Sequence, residues 1–311
     1  MSNGNRWLLA LVAVTAIWGW SFVAKHQGLG SISPSALNAC IFLPAALALF
    51  PFAARSLRQL QRRDLVAGLF AGTVLFIAFT FQTTGLAYTT PSNAGFITGL
   101  CSVFVPFILY LTGRGRPTSR QVLGTGIALV GLGLLSLENF TLHIGDLLIL
   151  GCAIGFAAHV VVLSLSSSTA SSQASAFLQL TTVGALSLAW SLMFNEFSLP
   201  DSLASVANLL SISLLGTALA YFVQTRAQAV LSAQKVALVL ICEPMFSGLF
   251  GYFLAGDRFT VIKAIGAAMI LVGVVVGELR GRAQRQGDPN ARRPAPVGAR
   301  LARKTDNGVS Q

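Results

Sequence analysis

The chain has 311 residues, of which 54% are hydrophobic and only 10% charged, with a formal net charge of +11. Both fractions lie far from those of soluble domains, and the apolar residues come in long uncharged runs, so an ordinary soluble fold is excluded and a polytopic helical membrane protein is indicated. The positive charge does not point to nucleic acid: a block of the 21 basic residues lies between Arg280 and Lys304, and most of the others flank apolar runs, as in cytoplasmic loops.

Taken in order, the apolar runs predict ten membrane spans at 7–27, 33–53, 65–86, 91–112, 119–138, 145–166, 173–194, 203–226, 233–255 and 259–279. The first run, from Trp7, is long enough to stay as a span, with no cleavable signal expected. The tail 280–311 is polar, basic and rich in Arg, Gly and Pro, and is expected to be disordered and cytoplasmic. With the N-terminus inside, the cytoplasmic segments carry Arg6, then Arg55, Arg58, Arg62 and Arg63, then Arg114, Arg116 and Arg120, then Arg226 and Lys235. The opposite side holds Lys25, Arg258 and Lys263 among acids such as Asp146, Glu196 and Asp257. This bias places both ends in the cytoplasm. Cys40, Cys101, Cys152 and Cys242 fall inside spans without CxxC or Cys/His spacing, and read as small core residues.

An internal repeat runs through the chain. A gap-free shift carries Gln82-Thr83 onto Gln224-Thr225, Ala78 onto Ala220, Phe104 onto Phe246, Tyr110 onto Tyr252 and Arg116 onto Arg258. The same shift carries Gly124 onto Gly266 and Leu129-Val130-Gly131 onto Leu271-Val272-Gly273. Spans three to five therefore recur as spans eight to ten. Spans one and two match six and seven only weakly, through Ala16-Ile17 and Ala153-Ile154. Each copy holds five spans, an odd number, so equivalent helices cross in opposite directions. The expected fold is all-α, with ten transmembrane helices as two five-helix inverted repeats, 7–138 and 145–279. Such a pair can exchange two oppositely facing arrangements around a site at the repeat interface.

These features come with a family resemblance. WGWSF at 18–22, SNAGFITGLCSVFVP at 92–106 and CEPMFSGLFGYFLAGD at 242–257 resemble the EamA-type repeats of the drug/metabolite transporter superfamily, over about residues 7–279. The resemblance implies ten helices, a central cavity and a secondary transporter, and within the superfamily it is nearest to bacterial exporters of amino acids and related metabolites. Many members carry an arginine in the second helix. Here 36–50 reads ALNACIFLPAALALF, with Asn38 and no base, so a substrate contact through that arginine is not carried over.

The candidate site starts at Glu243-Pro244, in the middle of the ninth span. A carboxylate at that depth faces protein or a wet cavity, and the proline frees a backbone carbonyl. Glu243 either binds a substrate amine or cycles a proton, or accepts hydrogen bonds that hold the kink. Trp18, Thr98, Ser102 and Tyr221 complete the expected substrate-binding set. Trp18 stacks with Ser21, Phe22 and Lys25 on one face of the first helix. Gly95, Thr98, Gly99, Ser102 and Pro106 share a face of the fourth. Trp20 cannot share the Trp18 direction, since adjacent residues diverge by ~100°. Phe76, Phe79, Phe81 and Phe222 suggest an aromatic-lined pocket, or simply core and lipid-facing rings. Thr90-Pro91 and Ser232 begin the fourth and ninth helices and are the expected gating residues. Arg226 and Lys235 read as snorkelling anchors or as an anion lure at the inner mouth. His159 reads as a satisfied core histidine. The pairs Gly68/Gly72, Gly151/Gly155 and Gly273/Gly277, with the glycines of the fifth helix, suit close helix contact without establishing a dimer.

No Walker loop, HExxH or GxSxG is present, so no enzyme, metal or cofactor is expected. A gradient must supply the energy. The expected function is export of small metabolites, foremost amino acids with aromatic or other apolar side chains, across a bacterial inner membrane. The alternatives are uptake or exchange of a nucleotide-linked or anionic solute, and a receptor-like protein. Scarce mid-span bases count against an anionic solute. The expected partners are the small-molecule substrate and the lipid bilayer, with proton coupling an open option, no nucleic acid, and the oligomeric state left undetermined.

Overall fold

The computed structural model describes residues 3–113, 116–138, 141–165, 172–230, 239–240, 242–258 and 260–278. The expected tail and the turn carrying Ser232 and Lys235 lie outside them. The described chain is helical almost throughout. Helices α1 (Asn3–Gly28), α2 (Pro34–Leu57) and α3 (Arg62–Leu86) are the first three crossings. Helices α4 (Pro91–Thr98) and α5 (Cys101–Leu111) form the fourth, and α6 (Ser119–Ser136) the fifth. Helices α7 (Ile144–Leu165) and α8 (Ser172–Met193) open the second half. The eighth crossing is α9 (Leu203–Ser211), a π-helical stretch Ile212–Leu219, and α10 (Ala220–Val230). The ninth contains α11 (Cys242–Phe250) and a π-helical turn Gly251–Ala255, and the tenth is α12 (Val261–Glu278). Seven of these stretches are long and apolar enough to cross a bilayer, and α6 and α12 are shorter apolar helices.

Local chemistry explains the helix starts. Ser33, Thr90 and Ser202 each accept a hydrogen bond from the backbone N–H three residues on, at 3.2 Å. Pro34 and Pro91 follow two of these caps, where a missing N–H costs nothing.

Three details depart from the sequence-based expectation. The fourth crossing breaks at Gly99-Leu100, where the backbone closes tighter turns, Leu100 N onto Ile97 O and Val103 N onto Leu100 O. The stripe expected along one continuous helix is therefore divided between α4 and α5. The fifth crossing stops at Ser136, and Leu137–Glu138 pairs with Thr141–Leu142 as a two-residue antiparallel hairpin between the halves. The eighth crossing loosens into π geometry, in which the Thr217 hydroxyl donates to the Ile212 carbonyl five residues back.

The helix pairing obeys the repeat. Crossing two packs on seven, five on ten, and four on nine. The remaining large contacts come as equivalent pairs: three on six with eight on one, three on seven with eight on two, and one on nine with six on four. The glycines give the same relation at atomic scale. A Cβ at Gly124 would strike the Gly273 carbonyl, and one at Gly131 would strike the Gly266 carbonyl. In the repeat, Gly266 is the copy of Gly124 and Gly273 the copy of Gly131. Each glycine thus meets the copy of the other across an antiparallel crossing, which is what a two-fold axis lying in the membrane plane requires. The other small-residue pairs are also used inside the chain. Gly68 and Gly72 admit Leu178 and Thr182 of α8, and Gly151 and Gly155 face Phe81 and Ala78 of α3.

His159 is a satisfied core residue: its Nε2 lies 2.6 Å from the Gln179 side-chain oxygen, between α7 and α8. Asn38 is likewise consumed by structure. It donates to the Phe79 carbonyl at 3.3 Å and accepts from the Thr83 hydroxyl at 2.8 Å, tying α2 to α3. The four cysteines carry no disulfide.

Replacing Gly124 by leucine forces the α6–α12 contact apart. Thermal unfolding of the purified protein should show G124L less stable by about 1–3 kcal/mol. The G126L control, at a position where a Cβ meets nothing within 4 Å, should stay within about 0.5 kcal/mol of wild type.

Candidate functional site

Polar groups collect where α1 passes α3, α4, α10 and α11. The helical spacing of α1 turns Trp18, Ser21, Phe22 and Lys25 to one side. Trp18 donates from Nε1 to the Gly216 carbonyl at 2.8 Å, on the π-helical stretch of the eighth crossing. Its ring meets Tyr221 edge to face, with centroids 6.2 Å apart. Trp20 faces elsewhere, into the cluster formed by α2, α3 and α8.

Lys25, counted in the sequence among the bases of the outer side, is buried. It is only 7% exposed, and its Nζ donates to the Gln82 side-chain oxygen at 3.0 Å. The ammonium also lies 5.0 Å from the centre of the Phe79 ring and 5.9 Å from that of Phe22. Cation–π contact and one amide oxygen offset part of the cost of burying a charge, but neither neutralises it.

Glu243 occupies the first turn of α11, which packs against α1 and α4. Gly19 is what allows the approach, since a Cβ there would fall on Phe246 and Ser247. Glu243 and Lys25 lie close enough to interact electrostatically. Among the described residues, neither an ion pair between them nor a hydrogen bond to the Glu243 carboxylate is present. Tyr221 and Cys152 share the same field. Tyr221 and Glu243 are both half-buried.

Thr98 ends α4 beside this group. Its hydroxyl is buried with no hydrogen-bond partner among the described residues. The Cys152 thiol is the polar group beside it, without hydrogen-bond geometry. Thus Trp18, Thr98, Tyr221 and Glu243 of the expected set come together, and Lys25, Gln82 and Cys152 join them. Ser102 is half-buried and donates to the Gly99 carbonyl of its own crossing at 3.1 Å. The aromatic pocket is divided. Phe79 stacks between Phe42 and Phe156, whereas Phe81 is 39% exposed and turns away toward α7.

The Thr90–Pro91 turn is pinned. The Ser247 hydroxyl donates to the Pro91 carbonyl at 2.8 Å, and the Ser92 N–H donates to Asp257 Oδ2 at 2.9 Å. Phe22 packs with Ala94 and Phe96 just inside. The start of α4 is therefore closed against α1 and the ninth crossing. Its expected counterpart at Ser232, Lys235 and the Arg226 side chain lie outside the described residues.

Lys25 carried a signal in the sequence, its place on the Trp18 face, but was also counted among the bases of the outer side. Gln82 carried one too, as part of the most visible repeat pair. Cys152 carried none.

A multi-pass helical membrane protein, built as an inverted repeat with charged and aromatic groups gathered in its interior, has the architecture of a membrane transporter. The comparisons make this specific. The EamA-like transporter family matches residues 5–137 and 143–277, and the chain belongs to it. An uncharacterized transporter of Archaeoglobus fulgidus is 32% identical over 273 residues, covering 88% of this chain and 85% of its own. The uncharacterized transporter YwfM of Bacillus subtilis is 21% identical over 299 residues, covering 92% and 98%. A solved crystal structure shares the fold, with a TM-score of 0.61 over 88% of this chain and 97% of its own at 17% identity.

Trp18→Phe keeps the ring contact but removes the hydrogen bond to the Gly216 carbonyl. Thermal unfolding should report a loss of about 1 kcal/mol.

Proposed function

We propose that this transporter exports small metabolites from the cytoplasm, foremost amino acids with aromatic or other apolar side chains, by alternating access through a central cavity. The observation that carries this reading is the Trp18–Tyr221 edge-to-face pair beside Thr98 and Glu243. It offers an apolar surface for a side chain and a few polar groups for orientation. Trp18, Thr98, Ser102, Tyr221 and Glu243 line the path. The Thr98 hydroxyl, buried without a partner among the described residues, supports this, since such a group is readily satisfied by a ligand.

The inverted repeat supports alternation. The halves oppose each other, so rocking one bundle against the other interchanges which mouth is sealed. The Thr90–Pro91 turn seals one end, and Ser232, outside the described residues, is the residue expected to seal the other. The protein sits in a bacterial inner membrane with both termini cytoplasmic, as the loop arginines favour. Its role is transport rather than catalysis, driven by the gradient of the substrate or of a coupled proton.

Flux into liposomes tests this. Vesicles holding the purified protein should pass labelled phenylalanine down its gradient and protein-free vesicles should not; binding without flux would point to a receptor instead. Removing the ring in Tyr221→Ala should weaken apparent affinity about 2–10-fold, as loss of one aromatic contact does. If phenylalanine movement carries protons, Glu243→Gln should abolish that coupling; unchanged coupling removes the acid from the proton path.

A further inference from the structure

The two interior charges are held apart. Lys25 Nζ is bound to an amide oxygen, the Glu243 carboxylate has no donor among the described residues, and each is within electrostatic reach of the other. A pair evolved only for stability would close into direct contact or be replaced by apolar groups, because an open buried pair bears the desolvation cost without gaining the short-range attraction. Charges kept in a membrane interior at that cost mark a ligand path.

The geometry points to a zwitterion clamp: Lys25 receives the α-carboxylate of the transported amino acid and Glu243 its α-ammonium. This rests on the amino-acid reading above and names the groups that read the amino acid's backbone. The two protein charges are opposite in sign, as are the two ends of the ligand. Between them a zwitterion makes two charge-assisted hydrogen bonds and leaves no net charge in the site. Gln82 and the Phe79 ring fix the Lys25 side chain, so little freedom remains to be lost on binding. Trp18 and Tyr221 lie beside the pair, where the ligand's side chain extends. The clamp belongs to one half only. Extending the match of Ala16-Ile17 with Ala153-Ile154 without a gap sets Val162 opposite Lys25, so the duplicated Gln224 has no equivalent lysine.

Counterflow of labelled phenylalanine in liposomes bearing the full chain reads the clamp directly. The competitors are phenylalanine, phenylalaninamide, which lacks the carboxylate, and N-acetylphenylalanine, which lacks the ammonium. In wild type each capped compound should compete at least about ten-fold more weakly than phenylalanine, the loss of one charge-assisted bond. In Lys25→Met the penalty on the amide should vanish while that on the acetylated compound stays. Glu243→Gln should do the reverse. A wild-type protein that passes phenylalanine but does not distinguish the capped compounds overturns the clamp and leaves the amino-acid reading standing. The clamp is equally overturned if K25M, monodisperse in detergent, still rejects the amide. No phenylalanine flux at all removes both. Should either variant fail to fold, the wild-type panel decides alone.

Discussion

Two helices of like sequence can touch closely along their whole length only where side chains are small on both. The α6–α12 crossing meets that condition by symmetry, Gly124 against Gly273 and Gly131 against Gly266. One duplicated pair of glycines supplies both contacts because the second copy runs the other way. The rest of the structure depends on this inversion. It sets two on seven and four on nine across the axis, and it brings α1 and α4 of the first half onto α11 of the second. Without an odd number of crossings per copy, the polar residues of the two halves would not converge.

Inside that frame the energetics run against ordinary packing. The cores around Phe42, Leu180 and Ile97 are apolar and closed. Between them stand a buried lysine, a half-buried carboxylate and a threonine hydroxyl without a partner among the described residues. Each costs free energy in a membrane interior, and among the described residues none is compensated by a direct ion pair. The π-helical stretch Ile212–Leu219 adds backbone that is not at its lowest energy, with Trp18 satisfying one of its carbonyls.

Much of this was legible in the sequence. The spans, the repeat and the inversion follow from apolar length and from matches such as Gln82 with Gln224, because bilayer thickness and an odd crossing count leave few alternatives. Trp18, Thr98, Tyr221 and Glu243 could be named since a polar or aromatic group in an apolar span stands out. Lys25 was harder: a base near a helix end counts toward the charge of the outer side, and only tertiary packing shows that Gln82 and Phe79 of α3 hold it. The break at Gly99-Leu100 and the π geometry carry no compositional mark, because they arise from neighbours pressing on the backbone. The use of Asn38 as a bridge from α2 to α3 depends on where Phe79 and Thr83 fall, which periodicity alone does not give.

The opposed halves can be tested with two repeat-equivalent positions, Arg116 and Arg258, both exposed at helix ends. Each is changed to cysteine in a chain whose four native cysteines have been replaced, and labelled in intact cells with a membrane-impermeant maleimide before and after permeabilisation. Inversion predicts that R258C labels from outside and R116C only once the membrane is opened. Labelling of both from the same face would show that the two copies run in the same direction, and the passage derived from their opposition would not exist.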